Sequence, residues 1–521
     1  MINSQAPLQS NPKLQWVFLL GILLFVGLYS LSTLTTKPAY WYDEAINVEL
    51  ARNFSEFGKL DLAVAPNTFS RQGATVGSTG YPVTVPLAGF FRIFGFGLAQ
   101  ARAYMLLWMG ALLIALFYIA KKLWGPLTAY GGTLLIATFA PFYGNGRSVM
   151  GEIPGFLFFL CSFYLFERKR WLWSGLLLGL SVISKPSVFV FLIPAYTLVL
   201  LSRSETWTRK LTDLCILGTG AVLALVPWVV IYLGELSRGG IAQNILAHFK
   251  NPYAEVGVSA VANISTNLPT LFTSTTLLYM WVMLAGVVIA VLLERTLLKN
   301  HKDFFILSAT YLPLALLQYL KSFGYLRYLI TAEFLVFILF LIALPALVRF
   351  VLSLRHSRAP TTPPRGLGTP PQAGGEGNPE NDTVRKNLIP IFMGMTMAVM
   401  ISIQTVHLFT SADLYSSEKA QKTILHMYTT YPTAKTIGVI NVPQVASFIP
   451  SFQKYQYLST YGLSDFGTHM LYLSPEKLPD VIVTESETNV LSREERTLLI
   501  LRYEKDVIFT EGFSVYTKRQ P

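Results

Sequence analysis

The chain has 521 residues, of which 52% are hydrophobic and only 13% are charged. The charged share is about half of that in soluble domains, which excludes a soluble enzyme and a disordered chain. The formal net charge is +12. Because the basic residues lie in short segments between apolar runs, we interpret them as topology signals and expect no nucleic-acid partner.

Apolar runs long enough to cross a membrane recur along the chain and predict a polytopic α-helical membrane protein with about eleven spans. We expect the first run to be a retained span, because it is too long for the apolar region of a signal peptide and no small-residue cleavage site follows it. The predicted spans are 14–34, 98–120, 126–143, 149–166, 171–184, 187–202, 211–233, 270–293, 304–320, 328–351 and 388–408.

The runs 171–184 and 187–202 are short, and Lys185-Pro186 separates them. One long broken helix would place the basic clusters 168–170 and 203–210 on opposite sides of the membrane. Two short helices place both clusters on the same side, which the excess of Lys and Arg in cytoplasmic loops favours. The resulting topology has a cytoplasmic N-terminus and three long outer segments: 35–97, 234–269 and everything after about residue 409.

This topology divides the chain into four parts. Residues 1–354 form the transmembrane core, 355–387 a flexible cytoplasmic linker rich in Pro and Gly, 388–408 the last span and 409–521 a small extracytoplasmic α/β domain. Within that domain the patterns predict helices at 416–428 and 493–503, and strands at 436–440, 480–484, 507–510 and 513–517.

Three carboxylates lie where the predicted topology makes them costly. Asp43 and Glu44 are adjacent, and they follow the first span in an aromatic setting. Glu152 follows a short outer loop and is drawn into the start of a span. Ionisable residues at such depth usually line a cavity or a functional site, although an ordinary solvated loop would explain Asp43 and Glu44 equally well.

Four basic residues on the outer side are candidates for binding an anion. Lys185 and Arg327 lie at outer span ends, against the usual charge bias, and Arg102 opens the second span. Snorkelling to the interface is the competing explanation for Lys185. Arg147 is either another anion ligand or the ion-pair partner of Glu152.

The ordered set of these motifs resembles the membrane glycosyltransferases of the C-type fold that are related to protein O-mannosyltransferases and the lipid A aminoarabinose transferase. Order and spacing match over roughly residues 14–340. Glu152 departs from the pattern, because relatives often have Asp there. The matching segments are Asp43-Glu44, 79–82, 94–95, Arg102, 147–154, 175–186 and Arg327-Tyr328.

The resemblance implies transfer of a sugar from a polyprenyl-phosphate donor to a lipid, glycan or protein acceptor at the outer face of the cell membrane. It implies a catalytic role for Asp43, with Glu44 and Glu152 beside it, because a carboxylate can accept the proton of the attacking hydroxyl. Lys185, Arg327, Arg102 and Arg147 would bind the donor phosphate. A divalent cation, Mg²⁺ or Mn²⁺, on Asp43 and Glu152 is a further expectation. The chain has no Gly-rich phosphate loop, which disfavours a nucleotide-sugar donor.

Two alternatives stay open at this point. A transporter or lipid flippase would place paired charges near the middle of the membrane, in broken helices, whereas an enzyme would gather Asp43, Glu152, Lys185 and Arg327 at the outer surface. An assembly partner without activity is the second alternative, and substitution of Asp43 would distinguish it.

Overall fold

The computed structural model describes residues 12–233, 260–322, 324–357, 379–411, 417–458, 473–485, 493–507 and 509–519. Most of the predicted outer segment 234–269 and the centre of the predicted linker lie outside the described residues. The helices up to residue 411 are α1 (Pro12–Leu31), α2 (Tyr42–Phe57), α3 (Gly73–Val76), α4 (Tyr81–Phe94), α5 (Leu98–Leu123), α6 (Pro126–Ala137), α7 (Ala140–Gly146), α8 (Glu152–Glu167), α9 (Trp171–Ser184), α10 (Pro186–Phe189), α11 (Leu192–Ser202), α12 (Trp207–Leu223), α13 (Leu225–Ile231), α14 (Ala260–Thr273), α15 (Thr275–Leu293), α16 (Thr296–Asn300), α17 (Lys302–Lys321), α18 (Ile330–Ser357) and α19 (Pro379–Ser411).

Seven helical stretches in the described part of the chain are long and apolar enough to cross a membrane. They correspond to seven of the eleven predicted spans, and the other four runs form shorter helices. The seven stretches are Pro12–Leu31, Leu98–Leu123, Trp207–Ile231, Thr275–Leu293, Lys302–Lys321, Leu326–Ser353 and Pro390–Thr410.

The predicted break at Lys185-Pro186 is present. Helix α9 ends at Ser184, Lys185 is not helical (φ −152°, ψ 86°), and Pro186 opens α10. Proline sterically disfavours the helical conformation of the residue before it, and α9 ends at this point.

Three predicted segments differ in the structure. The run 126–143 is broken after α6, and Pro141 stands in the first turn of α7, where its missing N–H is not needed. The run 270–293 is divided at Ser274, which is extended between α14 and α15. Helices α18 and α19 both extend into the predicted linker 355–387, because they reach Ser357 and begin at Pro379.

The segment between α1 and α5 is folded, whereas the sequence suggested only a long loop. It contains α2, a short antiparallel hairpin of β1 (Ala63–Ala65) and β2 (Thr68–Phe69), then α3 and α4. Helix α2 packs on α4, and α4 in turn packs on α5 and α9. The segment therefore forms a layer over one end of the helix bundle.

The C-terminal domain is a small α/β unit with a five-stranded sheet. The strand order is β4-β3-β5-β7-β6; β3 pairs in parallel with β4 and β5, and β7 pairs antiparallel with β5 and β6. Its elements are α20 (Lys419–Thr430), β3 (Ile437–Ile440), α21 (Pro443–Ala446), β4 (Lys454–Tyr457), β5 (Val481–Thr484), α22 (Arg493–Arg502), β6 (Tyr503–Lys505) and β7 (Ser514–Lys518).

Both predicted helices and three of the four predicted strands of this domain are present, with ends shifted by up to three residues. The predicted strand 507–510 is wrong: the strand before the last turn is β6, at Tyr503–Lys505. The sequence also gave no sign of β4, whose polar residues Lys454 and Gln456 point inward while Tyr455 and Tyr457 are less buried. The usual alternation of apolar inward and polar outward residues is reversed in β4, which hides it from a hydropathy pattern.

Candidate active site

Asp43 and Arg327 form a buried ion pair at the end of the bundle. Asp43 lies in the first turn of α2, where the helix dipole favours a carboxylate. Arg327 lies in the 3₁₀ turn Leu326–Leu329 that leads into α18, and its NH2 group is 2.5 Å from Oδ2 of Asp43. Only 7% of Asp43 and 6% of Arg327 is exposed.

Aromatic rings surround the Arg327 guanidinium. Its carbon lies 4.8 Å from the ring centres of Trp41 and Tyr325 and 5.5 Å from that of Tyr328. These contacts stabilise the cation through the ring quadrupoles. The Nε atom of Arg327 is buried and has no hydrogen-bond partner among the described residues, so the guanidinium keeps an unused donor.

Lys185 and Glu152 complete a cluster of four charges. Lys185 lies at the break between α9 and α10, and Glu152 is the first residue of α8; both are at least 98% buried. Lys185 interacts electrostatically with Glu152, Arg327 and Asp43. Neither carboxylate oxygen of Glu152 has a hydrogen-bond partner in the described part of the chain. A buried carboxylate is costly unless it is hydrogen-bonded, so these oxygens are candidates for binding a ligand.

Two glycines allow the motifs to approach this closely. Gly80 donates its N–H to the carbonyl oxygen of Ser184 at 3.3 Å. A Cβ atom at Gly80 would collide with the carbonyl of Ile183, and one at Gly151 with the carbonyl of Ser184. The segments before α4 and α8 therefore meet at the end of α9, directly before Lys185.

Asn47 fixes α2 against these segments, and the sequence analysis missed it. Its side-chain amide donates to the carbonyl oxygen of Val149 at 2.8 Å and to the hydroxyl of Thr79 at 3.0 Å. The Oδ1 atom of Asn47 is buried and without a partner among the described residues. Because Asn47 follows Asp43 by four residues, both lie on one face of α2. Recognition of α2 as a helix would have pointed to it.

Glu44 and Arg102 form a second, separate pair. Arg102 donates from Nε and NH2 to the two carboxylate oxygens of Glu44 at 2.9 and 2.8 Å, and neither residue is exposed. A third bond joins Arg102 NH1 to the carbonyl oxygen of Leu34 at 3.0 Å. All three nitrogens of the guanidinium are thus occupied.

Arg147 lies near this second pair and does not bond to Glu152. It donates to the hydroxyl of Thr33 at 2.7 Å and to the carbonyl oxygen of Tyr143 at 3.2 Å. Arg102 and Glu44 are the charged residues with which it interacts electrostatically. The interpretation of Arg147 as the partner of Glu152 is therefore wrong.

The structure thus brings together four of the seven predicted site residues, and it places Glu44, Arg102 and Arg147 in a neighbouring cluster. The catalytic and phosphate-binding roles of all seven stay predictions. The predicted cation on Asp43 and Glu152 also stays a prediction; no group of three or more Asp, Glu, His or Cys side chains that could hold a metal ion occurs in the described residues. Arg327 already holds Asp43, and Lys185 acts electrostatically on Glu152.

An apolar groove lies beside the four-charge cluster. Its volume is about 220 Å³. Its lining includes Ile183, two residues before Lys185, and Pro186, the residue after it. The other lining residues are Leu178, Gly179, Val182, Ile193, Ala221, Val222, Leu225 and Trp228.

The chain is similar to known proteins in part of its sequence and in its fold. The family model for dolichyl-phosphate-mannose-protein mannosyltransferase matches residues 84–232. A sequence comparison with the curated proteins gives no match.

Among solved structures, the chain is similar to the crystal structure of ArnT from Cupriavidus metallidurans bound to undecaprenyl phosphate, with a TM-score of 0.62 and 14% identity over 96% of this chain and 97% of that chain. The apo state of ArnT gives a TM-score of 0.57 at 14% identity, over 97% and 98% of the two chains. The arabinofuranosyltransferase AftD from Mycobacteria gives 0.54 at 12% identity, and the match covers 98% of this chain but 40% of AftD. The predicted C-type fold in a multi-pass membrane protein is confirmed.

Proposed function

We propose that the protein is a membrane glycosyltransferase that transfers a sugar from a polyprenyl-phosphate donor to an acceptor at the outer face of the membrane. The observation that carries the proposal is the meeting of Asp43, Glu152, Lys185 and Arg327 at one end of the bundle. Each of them lies at a helix terminus or in the turn that leads into a helix. A transporter would concentrate its charges at breaks in the middle of spans, so the placement favours the enzyme.

Lys185 and Arg327 are suited to the donor phosphate. A phosphate that leaves with the polyprenyl chain is a stable anion and needs positive charge more than a proton. Arg327 offers an unused Nε donor, and a guanidinium can bind two phosphate oxygens at once. Lys185 adds a second positive charge to the same cluster.

The apolar groove supports a lipid donor. It begins next to Lys185, and its lining consists almost wholly of aliphatic side chains with Trp228. A prenyl chain bound there would pack against these side chains by van der Waals contact, which stabilises apolar association inside a membrane. A phosphate at Lys185 and a prenyl chain along α9 and α12 would therefore be bound together. ArnT, the similar structure of known ligand, was crystallised with undecaprenyl phosphate.

Asp43 and Glu152 would handle the acceptor. The acceptor oxygen attacks the anomeric carbon, the bond from that carbon to the phosphate oxygen breaks, and the proton of the hydroxyl passes to a carboxylate. We assign this proton to Asp43, and we assign orientation of the hydroxyl to the free oxygens of Glu152. A divalent cation at these two carboxylates stays a separate prediction, and no step depends on it.

The test is to incubate the purified protein with candidate polyprenyl-phosphate sugars and acceptor-containing membrane extract. Release of the free polyprenyl phosphate is followed by mass spectrometry. We expect release that depends on both the protein and the extract, and that is lost in Asp43→Asn. Donors that stay intact with every sugar, together with movement of the lipid across a vesicle membrane, would instead identify a flippase.

A further inference from the structure

Helix α2 has two faces with different partners. Asp43 and Asn47 lie on the face that meets the four-charge cluster. The opposite face carries Val48, Glu49 and Arg52, which lie about 140–240° around the helix from Asp43 at 3.6 residues per turn. Val48 belongs to an apolar cluster that includes buried residues of the C-terminal domain. The domain thus packs on the back of the helix whose front holds the candidate active site.

Hydrogen bonds join the two ends of α2 to one turn of the C-terminal domain. The hydroxyl of Tyr40, two residues before the helix, is 2.9 Å from the hydroxyl of Ser447. Near the other end, NH1 of Arg52 donates to the carbonyl oxygens of Ser447 at 3.0 Å and of Ile449 at 3.2 Å. Contacts at both ends of the helix oppose a change in its tilt.

A fully buried ion pair joins the middle of α2 to β4. Lys454 Nζ lies 2.5 Å from Oε1 of Glu49, and both side chains are 1% exposed. Lys454 also donates to the carbonyl oxygen of Ala446 at 3.1 Å, and Glu49 accepts from the N–H of Ala63 at 3.2 Å. Removing two charges from water costs about as much as their attraction returns, so such pairs often serve to fix one arrangement rather than to add stability.

The N-cap residue of α2 does not cap its first turn. Trp41 occupies the N-cap position and its side chain accepts no bond from the helix. A Ser, Thr, Asp or Asn at that position would have held the first turn by itself. Asp43 lies in this turn, so its position relies on what packs around the helix.

We propose that the C-terminal domain is a positioning element for the active site, and that Glu49 and Lys454 are the positioning residues through which it holds α2 and Asp43 in place. The structural part of the proposal is independent of the reaction. Its effect on turnover rests on the proposed function.

The test uses the full-length protein and hydrogen exchange of the α2 backbone amides, measured by mass spectrometry. In Lys454→Met the Glu49 carboxylate stays buried without its partner, and we expect α2 to exchange at least about tenfold faster than in the wild type. Lys454→Arg keeps the charge and should restore slow exchange. Lys422→Met is the matched control, because Lys422 pairs with Glu511 at 2.7 Å on the exposed surface of the same domain; it should leave α2 unchanged.

Arg52→Met is a milder second variant, because Arg52 lies at the edge of the interface and its partners in the domain are two backbone carbonyls. Arg52 also donates to the Glu56 carboxylate within α2 at 2.8 Å, so Glu56→Gln, which weakens only that pair, is its control. Arg52→Met should raise α2 exchange by about threefold and still fold if Lys454→Met does not. Unchanged α2 exchange in every folded variant overturns the proposal, whatever the activity.

Activity gives the second readout. We expect kcat of Lys454→Met to fall by at least about tenfold while the KM for the lipid donor changes by less than about threefold, because Asp43 moves while the groove and Lys185 stay in place. An equal loss in kcat and gain in KM would contradict a role confined to α2. If the wild type transfers no sugar but α2 exchange still responds as described, the proposed function fails and the positioning role stands.

Discussion

Variants of Arg102 and Glu44 can show whether this pair stabilises the fold or takes part in the reaction. Both side chains are fully buried and share two hydrogen bonds of 2.9 and 2.8 Å. Arg102→Met leaves the Glu44 carboxylate buried without a counter-charge, and breaking such a pair costs about 3–5 kcal/mol of unfolding free energy. Glu44→Met strands the guanidinium and should cost a similar amount. Because the double variant removes both charges, we expect it to lose no more than about 2 kcal/mol, chiefly from the Leu34 carbonyl that Arg102 also binds.

The assay is equilibrium unfolding in mixed micelles, followed by tryptophan fluorescence, for the two single variants and the double variant. Removing the exposed pair of Lys169 and Glu205 is the control, and it should change stability little. Losses in the double variant that equal the sum of the single losses would refute the pairing. Full stability of Arg102→Met together with a raised KM for the donor would restore the sequence-based role of Arg102 in phosphate binding.

Three further predictions concern the four-charge cluster. Asp43→Asn keeps the shape of the side chain and removes its charge, so turnover should fall by at least about 10²-fold with normal yields of folded protein in gel filtration; near-normal turnover would exclude Asp43 as the base. Lys185→Ala and Arg327→Ala should each raise the KM for the lipid donor by at least about tenfold in steady-state kinetics. Lys169→Ala is the control, because Lys169 is remote from the cluster, and it should leave this KM unchanged. Equal effects of all three variants would indicate a common effect on folding. Glu152→Gln should lower turnover because the free carboxylate oxygens no longer orient the acceptor, and activity that resists both this change and a chelator would contradict both roles suggested for Glu152.

The charge pattern of the sequence was informative about the candidate site, because charges are costly at span ends, and the roles of its residues stay predictions. The positive-inside rule separated α9 from α10 and so placed Lys185 at a break between helices. The same cost drew attention to Asp43, Glu152 and Arg327, which the structure brings together. What the sequence did not contain was the pairing. Arg102 bonds to Glu44 from 58 positions away, and nothing local distinguishes that partner from Asp43 beside it.

Helix α2 shows a second reason for failure. Its apolar residues recur at Ile46, Leu50 and Phe54, and Gly58 ends it in the left-handed region at φ 68°, so a helical pattern is present. Charged residues interrupt the pattern on the other face, and one of them, Glu49, is 1% exposed in the structure. The partner of Glu49 is Lys454 in β4, the strand whose burial pattern is reversed. Neither charge shows in the sequence that it is buried in a pair.

The adjacent acids of α2 explain how one helix can serve both stability and chemistry. Successive residues point about 100° apart around a helix, so Asp43 faces Arg327 while Glu44 faces Arg102. The Glu44 pair is closed, because both carboxylate oxygens and all three guanidinium nitrogens are bonded. The Asp43 pair is open, because Arg327 bonds to Asp43 through one nitrogen and its Nε has no hydrogen-bond partner among the described residues. A phosphate needs hydrogen-bond donors that are still unused. We therefore assign the reaction to Asp43 and the anchoring of α2 to Glu44. The reason is this difference in bonding and not the difference between Asp and Glu.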